Sequence, residues 1–246
     1  MLSCKRADSW KIASFPQLTM GFKTQKIVNQ WHQPVAEEIL YNGQYSTAIK
    51  PTEFFSSQVF IDALLCYTEL RAQQTLISKL FVNIEPNTLC DSSALAKLIH
   101  LHQQLKQHQC ELNIEVTERL YCGPCLASEA GLLALKAEGI GLAIDDYDIY
   151  NHCGDKRSFA LNIFNYIKII RPVSAHQRLQ LQAFLHRKPL HDGQILVIEN
   201  IEHASDLTTL KNIQGLPSKH YFQGYWFYRP QAIQLNSKQA LLGELQ

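Results

Sequence analysis

The segment Gly141-Leu142-Ala143-Ile144-Asp145-Asp146 is a short apolar run that ends on two adjacent aspartates. A run of this length and composition is typical of a strand that is buried on both faces of a sheet. Similar runs precede and follow it along the chain. The sequence therefore predicts eight strands, over residues 22–29, 34–41, 80–84, 111–117, 139–145, 165–170, 194–199 and 218–222.

Helix-length stretches separate most of these strands, over residues 56–79, 92–109, 126–138, 173–187 and 203–213. This alternation is typical of βα units around a parallel sheet, and eight strands in one chain of 246 residues favour a closed barrel. Only residues 30–33 join the first two strands, which is too short for a parallel crossover, so we expect an antiparallel hairpin there. The predicted fold is α/β, a modified TIM-like (β/α)8 barrel with one antiparallel strand.

The composition fits one large domain. With 46% hydrophobic residues the chain can bury a continuous core, and a formal net charge of +1 gives no broad basis for binding nucleic acid or an anionic membrane. We find neither a signal-peptide pattern nor a run of membrane-spanning length, and so expect a cytoplasmic protein. We divide the chain into an unassigned N-terminal segment, 1–21, and one domain, 22–246.

Seven cysteines are scattered along the chain, and their odd number favours reduced thiols. Cys122-Gly123-Pro124-Cys125 has the spacing of a thioredoxin-type redox site, but the surrounding pattern is not that of a thioredoxin. We interpret Cys122 and Cys125 as loop and helix-start thiols. A redox or metal role is the less favoured alternative, and a redox input from these two and Cys153 stays open.

Polar residues stand where the apolar strands end. In a parallel barrel these ends converge on one face, where barrel enzymes hold their chemistry. Carboxylates grouped there repel one another unless a cation lies among them, and oxygen ligands favour Mg²⁺ or Mn²⁺. Such ions suit phosphate esters, with Lys168 positioning the attacking water or offsetting charge and Glu199 accepting the proton. The predicted ligands are Glu38, Asn83, Glu115, Asp145 and Asp146.

Each of these residues also has a simpler interpretation. A single acidic residue after a strand is most often a helix N-cap or a solvated charge, and we interpret Asp91 and Asp206 in this way. Six strand ends that carry the same class of ligand are hard to assign to capping alone, so we interpret the set as a metal site. Lys168 lies in an otherwise apolar strand and needs a carboxylate neighbour.

Taken in order, the motifs resemble the EAL domain family over about residues 22–233. Glu38-Ile39-Leu40 falls where the family has its Glu-Ala-Leu signature, although Glu37 is the adjacent alternative. The further matching segments are Pro51-Thr52-Glu53-Phe54, Phe81-Val82-Asn83-Ile84, Glu115-Val116-Thr117-Glu118, Asp145-Asp146-Tyr147, Ile167-Lys168-Ile169, Glu199-Asn200-Ile201-Glu202 and Gln223-Gly224-Tyr225.

This resemblance implies hydrolysis of cyclic-di-GMP to linear pGpG with two Mg²⁺ or Mn²⁺ ions, in bacterial second-messenger signalling, and a homodimer. It implies that Asp146 serves the second metal, that Glu199 is the general base and that Lys168 orients water or balances charge. The metal ligands that it implies are Glu38, Asn83, Glu115 and Asp145. The supporting or substrate-binding residues that it implies are Glu118, Glu202, Gln223, Leu40 and Asn42.

Three features depart from the family pattern. Asn42 stands where an arginine normally contacts a substrate phosphate, and Ile170 replaces an aspartate. The loop of residues 146–151 lacks both of the usual glycines. We therefore keep a second hypothesis, a catalytically degenerate EAL domain that binds cyclic-di-GMP or a protein partner as a regulator. An unrelated metal-dependent barrel hydrolase is the third.

Overall fold

The computed structural model describes residues 20–43, 50–119, 125–151, 157–187 and 190–234. Cys122 and Cys153, on which the redox interpretation partly depends, lie outside these residues, as does most of the N-terminal segment. Within the described ranges the chain forms nine strands: β1 (Phe22–Asn29), β2 (Pro34–Tyr41), β3 (Lys79–Ile84), β4 (Glu111–Val116), β5 (Gly141–Ile144), β6 (Tyr166–Ile170), β7 (Ile195–Glu199), β8 (His220–Gln223) and β9 (Gln231–Ala232).

The first eight strands close into a barrel. Strands β2 to β8 pair in succession and in parallel, and β1 closes the ring by lying antiparallel to both β2 and β8. The predicted hairpin and the predicted barrel with one reversed strand are thereby confirmed. The short strand β9, which the sequence pattern did not predict, pairs with the first residues of β1.

Six α-helices lie in the described part of the chain: α1 (Pro51–Phe55), α2 (Gln58–Gln74), α3 (Ser92–Gln107), α4 (Leu126–Ala137), α5 (Ala175–Arg187) and α6 (Ala204–Lys211). Two 3-10 helices, Pro86–Cys90 and Ser158–Ile163, follow β3 and precede β6. The single helix predicted over 56–79 was wrong at both ends. Helix α2 begins after Ser57, whose hydroxyl accepts a hydrogen bond from the Phe60 amide (3.2 Å), and it ends before Thr75, which has extended backbone.

Two apolar cores hold the barrel together. The larger one lies between strands and helices, and the smaller one fills the lower half of the barrel interior. The inner core consists of Ile27, Ala36, Phe81, Ala143, Tyr166, Ile195, Val197 and Tyr221. This layer is mostly apolar, although Asn113 is buried beside it and Lys79 Nζ lies 3.5 Å from the Tyr166 hydroxyl at its lower side. The carboxylates that point into the barrel above it lie toward the other end.

Candidate metal and catalytic site

The candidate site is the layer of side chains directly above the inner core. Successive side chains of a strand point to opposite faces, so the residue two positions beyond an inner-core residue also points into the barrel. Ala36 is followed in this way by Glu38, Phe81 by Asn83, and Tyr166 by Lys168. Strand β1 runs in the opposite direction, and its contribution, Gln25, therefore comes two residues before Ile27.

The two adjacent glutamates of β2 point in opposite directions. Glu38 points inward and accepts hydrogen bonds from Asn83 Nδ2 (2.6 Å), Lys168 Nζ (3.1 Å) and Gln223 Nε2 (2.5 Å). Glu37 points outward to helix α2, where Arg71 donates Nε and Nη2 to its two oxygens at 2.6 and 2.7 Å. Of the two glutamates, Glu38 therefore lies among the inward-pointing polar side chains, and Glu37 forms an ion pair outside the barrel.

Lys168 lies at the centre of the inward-pointing polar side chains above the inner core, which we call the polar cluster. Its side chain is 1% exposed, and its ammonium nitrogen lies within ion-pair distance of four carboxylates. The partners are Glu115 Oε2 (2.8 Å), Glu199 Oε1 (3.0 Å), Glu38 Oε2 (3.1 Å) and Asp145 Oδ1 (3.3 Å). Burial alone would lower the pKa of this lysine, but Glu115, Glu199 and the other carboxylates raise it well above its usual value.

One ammonium group cannot balance this much negative charge. Burial, and then the charge of Glu38, raises the pKa of Glu115 well above its usual range. Burial raises the pKa of Glu199 to about 8, with Asp145 and Glu38 adding to the effect and Lys168 opposing it. Only Glu38 has a lowered pKa, because Lys168, Gln223 and Asn83 together outweigh its burial. A further positive charge among these carboxylates would therefore stabilise their ionised forms.

A second acidic group lies at the edge of this cluster. Glu118, Asp145 and Asp146 each offer a carboxylate oxygen, and these three atoms lie within 4.8 Å of one another. Burial and the neighbouring Asp145 raise the pKa of Asp146 to about 6. Asp145 belongs to both groups and so connects them.

The donor set fits divalent cations of the Mg²⁺ or Mn²⁺ type. Its donors are carboxylate and amide oxygens, which such ions prefer. Glu115 Oε1 and Gln223 Oε1 are buried and have no hydrogen-bond partner among the described residues. A buried carboxylate oxygen without a donor is costly, and a cation would satisfy it.

Not every residue predicted for the site lies in the cluster. Gln223 does, with Nε2 donating to Glu38 and, at 3.4 Å, to Gln25. Glu202 is exposed, beyond the end of β7. Asn42 is exposed directly after β2, where its backbone N–H donates to Gly21 O (2.7 Å). Leu40 lines a cavity of about 210 Å³ beside the cluster.

A positively charged side chain that the sequence analysis missed lines this cavity. Arg119 lines it together with Glu38, Asn83 and Asp145. Its Nε and Nη2 lie 2.8 and 2.7 Å from Glu85 Oε1, and the guanidinium carbon lies 5.0 Å from the centre of the Phe55 ring. Glu85 is buried, so the ion pair fixes an otherwise flexible side chain at the cavity wall. The order Glu118-Arg119 was the available signal, but only the fold brings Arg119 beside Leu40.

The loop of residues 146–151, which follows β5, has a defined backbone conformation although it contains no glycine. Asp146 has a left-handed backbone (φ 42°), and Asp148 Oδ1 accepts hydrogen bonds from the amides of Tyr150 and Asn151, both at 2.9 Å. Tyr147 is buried, and its ring lies 5.9 Å from that of Phe184 in α5. The loss of two glycines therefore leaves a defined loop. Ile170 ends β6 and is 41% exposed, and its carbonyl accepts a hydrogen bond from Tyr150 Oη (2.8 Å).

Solved EAL structures have the same architecture. An EAL domain protein from Listeria monocytogenes is 22% identical with a TM-score of 0.62, covering 86% of this chain and 88% of that one. The PaMucR phosphodiesterase in complex with c-di-GMP is 19% identical with a TM-score of 0.62, covering 91% of this chain and 94% of that one. Klebsiella pneumoniae BlrP1 in complex with calcium and cy-diGMP is 22% identical with a TM-score of 0.66, covering 90% of this chain but 59% of that one.

These likenesses show that the chain has the fold of EAL domains. Neither a family model nor a curated protein sequence matches it. Among the helices of the described ranges, none has the length and apolarity that crossing a bilayer requires.

Proposed function

We propose that the chain hydrolyses cyclic-di-GMP to linear pGpG with two Mg²⁺ or Mn²⁺ ions, in bacterial second-messenger signalling. The observation that carries the proposal is Lys168, buried among four carboxylates at the rim of a barrel with the EAL fold. Support also comes from solved structures of that fold, among them BlrP1 in a complex with manganese and cy-diGMP.

The residues that would hold the ions are Glu38, Asn83, Glu115, Asp145 and Asp146, with Glu118 beside the last two. When bound, the ions would polarise the phosphodiester and lower the pKa of the attacking water. Positive charge among these carboxylates would also lower their raised pKa values, so that they are ionised at neutral pH.

The chain's own residues would carry the proton transfer. Glu199 lies 3.0 Å from Lys168 and is the carboxylate that we assign as the general base, taking a proton from water as one phosphodiester bond breaks. Lys168 would hold Glu199 and the ligand carboxylates in place and is thus a positioning residue. Arg119, fixed by Glu85 at the wall of the adjoining cavity, would contact a substrate phosphate that Asn42 cannot bind by charge.

The experiment is to follow pGpG formation from cyclic-di-GMP with Mn²⁺ for the parent protein and two variants of strand β4. Glu115→Gln removes a carboxylate of the cluster, and Glu111→Gln removes one at the other end of the same strand, paired with Lys79 at 2.7 Å. We expect Glu115→Gln to reduce turnover by about 10²-fold or more and Glu111→Gln to leave it within about twofold. Because burial disfavours the charge of Glu115, the metal-free Glu115→Gln protein should be at least as stable as the parent.

Parent protein that forms no pGpG but binds cyclic-di-GMP in calorimetry would favour the second hypothesis, a catalytically degenerate EAL domain acting as a regulator. The observations on its side are Asn42, Ile170 and the rebuilt loop of residues 146–151. Absence of both turnover and binding would leave a protein partner as the ligand of the domain.

The proposal includes a cytoplasmic homodimer. Apolar side chains are exposed where β6 ends and α5 begins, next to the rebuilt loop: Ile170 (41%), Val173 (67%) and Leu179 (64%). A second copy that covers this surface would remove it from water. Light scattering of the parent and of Leu179→Glu tests this, since the substitution should shift a dimer towards monomer.

A further inference from the structure

Two thiols outside the carboxylate cluster lie side by side on neighbouring elements. The Sγ atoms of Cys90 and Cys125 are 3.9 Å apart, although the residues are 35 positions apart in the chain. Cys90 is the last residue of the 3-10 helix Pro86–Cys90, and Cys125 is the N-cap residue of α4. Both residues are half-buried, so a small oxidant can reach them.

Backbone contacts keep these two elements together. A Cβ atom on Gly131 of α4 would lie 2.2 Å from the carbonyl oxygen of Leu89, so glycine is needed for this approach. Ser128 Oγ donates to the carbonyl of Pro86 at 3.5 Å. The distance between the thiols is therefore set by packed backbone. A disulfide has a sulfur separation of about 2.05 Å, which the two side chains reach by a relative movement of about 2 Å.

The start of this 3-10 helix is already linked to the residues that follow β4. Arg119 pairs with Glu85, the residue directly before Pro86, with 2.7 Å between Nη2 and Oε1. The Cys90 and Cys125 thiols meet at the other end of this 3-10 helix. A covalent bond there would join the helix to the start of α4.

We infer that Cys90 and Cys125 form a reversible disulfide when the protein meets a peroxide, and that this bond joins the end of the 3-10 helix Pro86–Cys90 to the start of α4. One thiolate attacks a peroxide oxygen, the O–O bond breaks, and a sulfenic acid and water are formed. The second sulfur then attacks the sulfenic sulfur, the S–O bond breaks and a second water leaves. In the balance, two thiols and one hydrogen peroxide give one disulfide and two waters, and a small thiol reductant reverses the bond by exchange.

Peptide mapping by mass spectrometry tests this inference on the whole protein after treatment with hydrogen peroxide. We expect one cross-linked peptide pair that joins Cys90 to Cys125 and disappears on reduction. It should be absent from Cys90→Ser and from Cys125→Ser. It should persist in the matched control Cys66→Ser, which removes an exposed thiol on α2. Far-UV circular dichroism of the reduced variants establishes that each is folded.

A disulfide between Cys122 and Cys125, or sulfinic acid at Cys125 without a cross-link, would overturn the inference. None of these readouts depends on cyclic-di-GMP, so failure here is distinct from failure of the proposed function.

Discussion

At the scale of single residues, the direction of a side chain decides whether it joins the polar cluster. Glu37 and Glu38 are chemically identical neighbours, yet one forms a structural ion pair with Arg71 and the other belongs to the polar cluster. Their surroundings differ because successive side chains of a strand point to opposite faces of the sheet. The sequence alone left Glu37 as an alternative, because both faces of β2 carry apolar residues, and the register within the barrel identifies Glu38 as the one that points inward.

The substitution of the expected arginine by Asn42 is also a residue-scale matter. Comparison of the sequence with the family pattern predicts a missing phosphate contact at Asn42, whereas the structure has the guanidinium of Arg119 at the wall of the cavity beside the cluster. Its position depends on the pairing of Arg119 with Glu85, which lies on a different strand-end segment. Contacts of this kind follow from the closed barrel and cannot be deduced from local pattern.

We predict that Arg119→Lys raises the KM for cyclic-di-GMP about tenfold with little change in kcat, which corresponds to about 1.4 kcal/mol. Lysine keeps the charge beside Glu85 but loses the planar fork that can serve a carboxylate and a phosphate together. Steady-state kinetics is the measurement. The control is Arg171→Lys, at an arginine that pairs with Asp206 (3.2 Å) and does not line the cavity. An unchanged KM for Arg119→Lys would remove Arg119 from the substrate site.

At the scale of elements, helix ends followed the sequence rules where a capping side chain is present. Asp91 accepts hydrogen bonds from the amides of Ser93 and Ala94, and Asp206 accepts from those of Glu202 and His203. Asp91 is the N-cap residue of α3, and this interpretation is confirmed. Asp206 is instead the third residue of α6, in a capping box with the N-cap residue His203, and it is buried beside Arg171, so its interpretation as an N-cap or solvated charge was wrong. Helix α1 and strand β9 have five and two residues and too little periodic signal to be predicted. Their positions depend on tertiary contacts.

Helix α3 contains a buried histidine that makes the stability of the protein depend on pH. His102 is 2% exposed, and neither ring nitrogen has a hydrogen-bond partner among the described residues. Burial lowers its pKa, with a further contribution from Lys106 on the same helix, while the backbone of Glu138 and the charges of Glu138 and Glu111 act in the opposite direction. The folded state thus holds this ring neutral at a pH where the unfolded chain binds a proton.

We predict that His102 destabilises the protein as the pH falls below about 6.5, where the unfolded chain takes up the proton first. His102→Leu should therefore lose less stability than the parent between pH 7.5 and pH 5. Urea unfolding at the two pH values measures the difference. His100→Leu, at an exposed position of the same helix, should follow the parent. If His102→Leu follows the parent as well, the ring does not contribute.

At the scale of the whole molecule, the excess of carboxylates over cations at the rim links ion binding to global stability. An ion that binds only the folded barrel adds about 2.7 kcal/mol at a concentration of 100 times its Kd. For a chain of this size we predict that Mn²⁺ raises the Tm by roughly 5–10 °C, measured by scanning calorimetry.

Asp145→Asn should abolish most of this Mn²⁺-dependent rise, because Asp145 belongs to both acidic groups. Asp62→Asn, at a surface ion pair with Lys97 (2.6 Å), should keep it. The comparison is of Tm with and without Mn²⁺ for each variant, so that any effect of the substitution alone cancels. An equal rise in the parent and in Asp145→Asn would place the ion elsewhere.

The fold and the polar rim were predictable at this scale because both follow from short-range periodicity. Lys168, for example, stands out as a charge within a buried strand, and its four partners stand at the ends of other strands. The contact between Cys90 and Cys125 was not predictable, since it depends on how Gly131 packs against Leu89. Periodicity indicates which face a residue occupies, but not which neighbour it meets there.

The reversed first strand has a structural consequence. Because β1 is antiparallel to β2, its first residue, Phe22, lies opposite Tyr41 at the rim that carries the polar cluster. Strand β9 pairs beside it, and the Ile233 amide donates to Phe22 O at 2.9 Å. The two ends of the described part of the chain thus lie side by side at the end of the barrel that carries the polar cluster. Both adjoin β1, whose Gln25 accepts a hydrogen bond from Gln223, and Gln223 also donates to Glu38, so that one strand connects these ends with the carboxylates.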